Sequence, residues 1–391
     1  MPGTGHGTER QRASRYLRPV VDALRASGSI RRPDLAAHLG ISKQTVSELI
    51  AALEDGGFVS ARGPARGGRG RSAMVYGLVA DAAVCLGIDL GGTKVSFGLG
   101  DMVGRLLAER TEATRTGGGR AVVEQIVEGA AALCRDAGIE RRRVQACVIG
   151  VPASVHPGTG NLTLAANLPG LEEVDLCGLL GERLGCPVRL ENDVNLALTG
   201  EVVAGAAKGV RNAVFIALGT GVGAGVMANG QLVRGSSGAA GEVAYLPFPG
   251  GPPDDETLRQ GQLESAIGSQ AILAGYQANG GTRARDVRGI FEAADAGEEA
   301  ALLSLNHLAA ETARCVAAVV AVIDPELVVL GGSIGARREL RDRIDEKLRG
   351  TFVRPVKVIG SAHGARAAVI GAVDAACSEM IATLFGPSLA V

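Results

Sequence analysis

Val84-Cys85-Leu86-Gly87-Ile88-Asp89-Leu90-Gly91-Gly92-Thr93-Lys94 is the stretch on which the fold turns. Its first seven residues form an apolar run of strand length. A strand that delivers Asp and then Gly-Gly-Thr-Lys has a chemical use. The Asp89 carboxylate can hold Mg²⁺ through water, while Gly91 and Gly92 let backbone N–H groups and the Thr93 hydroxyl approach phosphate oxygens beside Lys94. A plain hairpin turn explains the same residues without a ligand, so the motif needs company.

Two more junctions of this kind supply it. Ala213–Leu218 is apolar and runs into Gly219-Thr220-Gly221-Val222-Gly223-Ala224-Gly225, and Leu327-Val328-Val329-Leu330 runs into Gly331-Gly332-Ser333. A dinucleotide-binding βαβ unit would show one such loop near its start. Three spread along the chain predict a nucleotide cleft between two lobes, with Gly219, Thr220 and Gly221 facing phosphates and Gly331 and Gly332 the adenosine. Between the loops, residues 188–198 read as a short strand breaking into a helix. Asp193 there can act as a general base, taking the proton of a sugar hydroxyl as it attacks a γ-phosphate, and Asn192 can hold a neighbouring hydroxyl. Either side chain could equally cap the helix.

The first 80 residues have a different character. They hold twelve Lys and Arg against six Asp and Glu, a balance of +6, so the remainder carries −7 of the overall −1. A basic module on an acidic body suits a first part that meets phosphates. Leu17, Val20, Val21 and Leu24 recur at three- and four-residue spacing and predict a helix over 14–27. Pro33 opens a second helix reaching Leu39, Gly40 permits a sharp turn, and Ser42 caps a third that ends near Asp55. Two helices so joined make a helix-turn-helix, whose second helix enters the DNA major groove. Its polar residues Ser42, Lys43, Gln44, Thr45 and Ser47 can reach bases or phosphates, while Val46, Leu49, Ile50 and Leu53 face a core. Phe58-Val59-Ser60, a loop holding Arg62, Arg66, Arg69 and Arg71, and Met74–Leu78 then predict strand, basic loop, strand: a wing whose arginines can enter the minor groove or grip the backbone. A protein-binding helical unit with a Gly/Arg linker is the plain alternative.

The 391 residues, 46% hydrophobic and 21% charged, suffice for a small domain at 1–80 and a two-lobed body at 81–391. No uninterrupted apolar run has the length of a membrane helix, and the N-terminus lacks a signal-peptide core, so the expectation is a cytoplasmic protein without a membrane partner. Seven scattered cysteines without a C-x-x-C pair indicate neither a disulfide framework nor a thiolate metal site.

Asp89-Leu-Gly-Gly-Thr-Lys94, Leu218-Gly-Thr-Gly-Val-Gly-Ala-Gly225 and Glu191-Asn-Asp193 together resemble the ROK family (repressors, open reading frames, kinases), over nearly the whole chain. The resemblance implies a duplicated actin-like ATPase fold of the α/β class and a sugar or sugar-phosphate ligand. It implies a sugar pocket made by Asn167, Asn192, Asp193, Glu242 and Glu264. The winged helix-turn-helix is similar to that of the family's xylose and N-acetylglucosamine regulators. Family members usually hold a structural zinc with one His and three Cys. Here Tyr245, Asp255, Thr257 and Gln262 stand at those positions, a set that does not make a thiolate-rich zinc site, so no zinc is expected. The reading is a repressor, a dimer or tetramer on a roughly palindromic operator, that answers to a sugar and requires no cofactor, with ATP and Mg²⁺ admitted. An ATP-dependent sugar kinase carrying a DNA-binding head is the rival, and a regulator that senses ATP without turnover is a third reading.

Overall fold

The computed structural model describes residues 15–64, 74–164, 170–247, 254–349, 355 and 357–386. The head comprises α1 (Leu17–Ser27), β1 (Ile30–Arg31), α2 (Arg32–Leu39), α3 (Lys43–Asp55), β2 (Val59–Pro64) and β3 (Met74–Leu78), with its three strands in the order β1-β3-β2. Gly40 takes the left-handed conformation (φ 64°) between α2 and α3, where a Cβ would be strained. The Ser42 Oγ accepts the Thr45 N–H at 3.1 Å, which fixes where α3 starts. Val46, Leu49, Ile50 and Leu53 are all buried, as their spacing predicts.

The body is one plan used twice. In the first lobe, β4 (Val84–Leu90), β5 (Lys94–Asp101), β6 (Leu106–Ala113), β7 (Val144–Val151) and β10 (Val188–Asn192) stand in the order β10-β7-β4-β5-β6. β8 (Ser154–Val155) and β9 (Leu162–Thr163) form a separate hairpin beyond β7. In the second lobe, β11 (Ala213–Leu218), β12 (Val222–Ala228), β13 (Gln231–Leu232), β14 (Leu327–Gly331) and β15 (Val358–Gly360) stand in the order β13-β12-β11-β14-β15. Each sheet has an antiparallel meander of three strands with two parallel strands added beside the first. This duplication is the actin-like arrangement.

The helices of the body are α4 (Gly119–Asp136), α5 (Leu176–Leu184), α6 (Asp193–Ala204), α7 (Asp255–Gln260), α8 (Gln262–Ile267), α9 (Ser269–Ala278), α10 (Val287–Asp295), α11 (Glu299–Ile323), α12 (Gly332–Gly335), α13 (Arg338–Arg349) and α14 (Ala367–Phe385). α6 and α14 cross at Gly200 and Gly371. A methyl group on Gly371 would overlap the Leu196 carbonyl, and one on Gly200 the Ala367 carbonyl, so only glycine permits this approach. Two segments, Glu299–Ile323 and Gly364–Phe385, are long and apolar enough to match a membrane span by composition. The expectation of no such stretch is corrected here. Isolated polar residues interrupt the apolar pattern without lowering its mean, and packing is what distinguishes the two helices. α11 buries thirteen residues, ten of them in the second-lobe core, and α14 buries nine.

α14 also seats the head. Val20, Leu24, Leu53 and Tyr76 share one continuous core with Cys85 and Val148 of the first lobe and with Val373, Cys377 and Met380 of α14. Phe58, just past α3, meets Phe385 edge to face with centroids 4.9 Å apart. Arg25 pairs with Asp374 and donates to Ser378 Oγ at 3.3 Å.

Candidate functional site

The first glycine loop is the turn between β4 and β5, tied by a Gly91 N–H to Lys94 O bond of 2.9 Å and by the Thr114 hydroxyl on Gly91 O at 2.7 Å. Gly92, Thr93 and Lys94 are left exposed. The hairpin reading and the ligand reading of this motif are therefore compatible: the turn is rigid and its outer edge is open. The second loop repeats the device between β11 and β12, with Gly219 N–H on Gly221 O at 3.0 Å. The third rests against it, since Gly332 (φ 79°) lies on the Leu218 carbonyl and Ser333 Oγ faces Gly219. Loops two and three thus share one rim of the second lobe.

Asp193 opens α6 from the end of β10 and comes under the influence of Asp89 across Gly150. Burial pushes the Asp193 carboxyl up to about 8, and the negative charges of Asp89 and Glu242 add to the effect. Burial raises Asp89 to about 6, against the pull of Lys94. At neutral pH Asp193 is therefore mostly protonated, able to donate a hydrogen bond and to become a base when a cation or ligand offsets Asp89. Glu242 accepts the Ser154 hydroxyl at 2.7 Å, which joins the second lobe to the β8–β9 hairpin of the first. Glu264 accepts the Val222 N–H at 2.9 Å beside Gly221, and burial with nearby Glu242 raises its pKa. Asp193 thus feels Asp89 and Glu242, and Glu242 in turn Glu264, a chain of carboxyls running from the first lobe to the second with Tyr245 close to the last two.

Asn192 does what the plain reading allowed. Its Oδ1 accepts the N–H groups of Val194 and Asn195, each at 3.0 Å, and its Nδ2 donates to Ala153 O at 3.3 Å. It fixes the position of Asp193 and keeps one amide hydrogen for a ligand. The sequence reading missed the group beneath it. Glu191 is buried and accepts from Arg234 at 2.7 Å and from Asn195 Nδ2 at 3.1 Å. A carboxylate at the end of a strand was a weak signal, and its partner, 43 residues away, left none.

The Asp89 carboxylate beside exposed loop glycines and hydroxyls is an oxygen donor set suited to Mg²⁺ and phosphates, so these residues fit a magnesium nucleotide. The zinc positions do not fit. The Tyr245 hydroxyl donates to Arg259 O at 3.0 Å, and Thr257 lies in the capped first turn of α7, where its N–H donates to Asp254 at 2.8 Å. Packing and capping hold this segment, and the four side chains include no thiolate or imidazole.

On the head, Lys43 and Gln44 are exposed, and Thr45 and Ser47 half so. Ser42 also caps α3 and Arg62 also donates to Leu78 O, and both side chains remain exposed. Asn167, Arg66, Arg69 and Arg71 lie outside the described residues.

A winged helix-turn-helix on a two-lobed actin-like body is the class that this geometry defines. The ROK family model matches residues 85–379 and a MarR family model residues 19–70. The chain belongs to the ROK family, and with the matched head its architecture is that of a DNA-binding regulator. It is 30% identical to a glucokinase of Thermotoga maritima, over 73% of this chain and 95% of the relative. It is 26% identical to a putative xylose repressor of Caldicellulosiruptor sp., over 90% of this chain and 93% of the relative. Among solved structures, a ROK family transcriptional regulator, homologous to the E. coli Mlc protein, superposes with a TM-score of 0.79 at 21% identity, covering 95% of this chain and 98% of that one. A ROK glucokinase from Streptomyces griseus in complex with glucose and AMPPNP superposes at 0.65 with 27% identity, over 76% and 100%. The first of these covers the head as well as the body.

Proposed function

We propose that the protein is a transcription regulator, in its simplest form a repressor, whose grip on a roughly palindromic operator changes when a sugar or sugar phosphate enters the cleft. Residues 1–80 act as the DNA-binding head and 81–391 as the ligand-sensing body of a cytoplasmic homo-oligomer. The observation that carries this reading is α14, which packs on α6 at its start and on the head at its end. Asp193, Asn192, Glu242 and Glu264 receive sugar hydroxyls, with Asn167 joining them. Lys43, Gln44, Thr45 and Ser47 face the groove and Arg66, Arg69 and Arg71 the backbone. Closure of the lobes on a ligand moves α6, and α14 transmits the movement to the spacing of two heads, so half-sites no longer match.

A sugar panel in thermal shift tests the first part, since a ligand bound only to the folded state raises the melting temperature. Operator binding with and without the best ligand tests the second. A ligand that binds tightly yet leaves DNA affinity unchanged would end the regulator reading. The kinase reading is favoured by one observation, the placement of Asp193 at the start of α6, across Gly150 from Asp89. If sugar phosphate accumulates with ATP and Mg²⁺ and this is lost in Asp193→Asn, the kinase takes precedence.

A further inference from the structure

Glu191 stands next to last in β10, directly before Asn192, and its side chain is only 4% exposed. Its two carboxylate oxygens have separate tasks. Oε1 accepts the Asn192 N–H at 3.2 Å and Asn195 Nδ2 at 3.1 Å, so it holds the junction of β10 and α6 from which Asp193 projects. Oε2 receives two guanidinium groups, that of Arg234 with Nε at 2.8 Å and Nη2 at 2.7 Å, and that of Arg189 at 3.4 Å.

Arg234 comes from the second lobe, where it follows β13 and roots the loop 234–242 that ends in Glu242. The loop is closed by the Ala240 N–H on Arg234 O at 3.1 Å. At its tip a Cβ on Gly238 (φ 89°) would overlap the Val155 carbonyl of the first-lobe hairpin, and at its far end Glu242 accepts the Ser154 hydroxyl. Root, tip and end thus all reach across to the first lobe. Arg189 is shared in turn, lying 2.9 Å from Glu379 in an ion pair that ties β10 to α14. Glu379 follows Ser378, to which Arg25 of the head donates at 3.3 Å.

We infer that Arg234 and Glu191 are positioning residues of the cleft, and that Arg189 carries the state of this pair to the helix that seats the head. Relative strengths set the direction. A buried carboxylate that loses its nearer cation is costly, whereas an ion pair to a side chain 40% exposed is worth little. When lobe movement draws Arg234 away, Arg189 therefore goes over to Glu191 and leaves Glu379, which loosens α14 from β10. The shared guanidinium gives the relay two arrangements, and the loop that holds Glu242 chooses between them. Its regulatory meaning rests on the proposed sugar cleft and DNA-binding head.

The test is amide hydrogen exchange of the ligand-free, full-length protein, read peptide by peptide in a mass spectrometer. Arg234→Met removes the charge and keeps an unbranched side chain; exchange should rise about tenfold in residues 234–242 and 188–195, and also in α1 and in residues 378–385 of α14. Arg234→Lys, which restores one cation, should bring α1 back to within about twofold of its starting rate. Arg189→Met should release α1 and the end of α14 while 234–242 stays protected, and adding Arg234→Met should raise α1 exchange no further, since both break one chain. A rise confined to the loop and β10, or α1 rates that multiply in the double variant, overturns the inference. Should Arg234→Met fail to fold, Arg189→Met decides alone, an unchanged α1 overturning the relay. The readout uses neither operator nor sugar, so its failure leaves the regulator reading standing, and a failed operator assay leaves the relay standing.

Discussion

The two lobes share a strand order and differ in what covers their sheets. In the first, β4 and β5 lie under α14, and residues 84–101 have hardly a solvent-facing side chain outside the glycine loop. In the second, the helices from α8 to α11 build a separate core, and the segment that holds zinc in relatives is secured by a cap and a tyrosine hydrogen bond. A duplicated fold has thus been specialised on opposite sides. The first lobe is constrained because it carries the head, whereas the described part of the altered segment in the second is held by a cap and a bond to a backbone carbonyl.

The harshest way to break this contrast is Gly371→Ala. The added methyl overlaps a backbone carbonyl that cannot give way, so a loss of about 3 kcal/mol or more is expected, read as a lower urea midpoint. A near-neutral result would mean that the crossing of α6 and α14 is loose. Asp193→Asn should act in the other direction. An Asp raised to about 8 keeps its proton in the folded state where the unfolded chain has lost it, so stability falls as pH rises from about 4 to about 8. Removing the charge should stabilise the protein at pH 8 by about 2 kcal/mol, less than the full shift implies because the cleft is partly solvated. The gain should vanish near pH 4, and a gain that persists there refutes the electrostatic cause.

The second lobe should be far more tolerant. Tyr245→Phe removes one hydrogen bond at a residue that is 39% exposed and should cost about 1 kcal/mol or less in thermal unfolding. Elemental analysis of gently purified protein should find no stoichiometric zinc, and chelators should leave its melting temperature unchanged. Bound zinc at one per chain would make the second lobe as constrained as the first.

The fold was legible wherever periodicity and turn chemistry act locally. Ser42 at the cap of α3, strands at Val84–Leu90, Ala213–Leu218 and Met74–Leu78, and the apolar face of α3 all follow from spacing. The candidate cleft was legible as motifs, and its electrostatics were not. Nothing near Asp193 announces that burial, Asp89 and Glu242 raise its pKa, since Asp89 reaches it only through the pairing of β4, β7 and β10 and Glu242 comes from the other lobe. Ser154, Arg234 and Arg25 were equally silent, because each acts through a partner dozens or hundreds of residues away. Arg62 has a further use that spacing did not announce, donating to Leu78 O while staying exposed.

The seating of Arg25 on Asp374 has a consequence for biosynthesis. The two residues are 349 positions apart, so the reading head leaves the ribosome long before the helix it sits on exists. At bacterial translation speeds that interval is roughly 20–70 s. During it the helix-turn-helix can pair with nothing of its final seat and exposes Val20 and Leu24 or shields them in some other way. A nascent chain therefore carries its helix-turn-helix before the helix on which that module is seated.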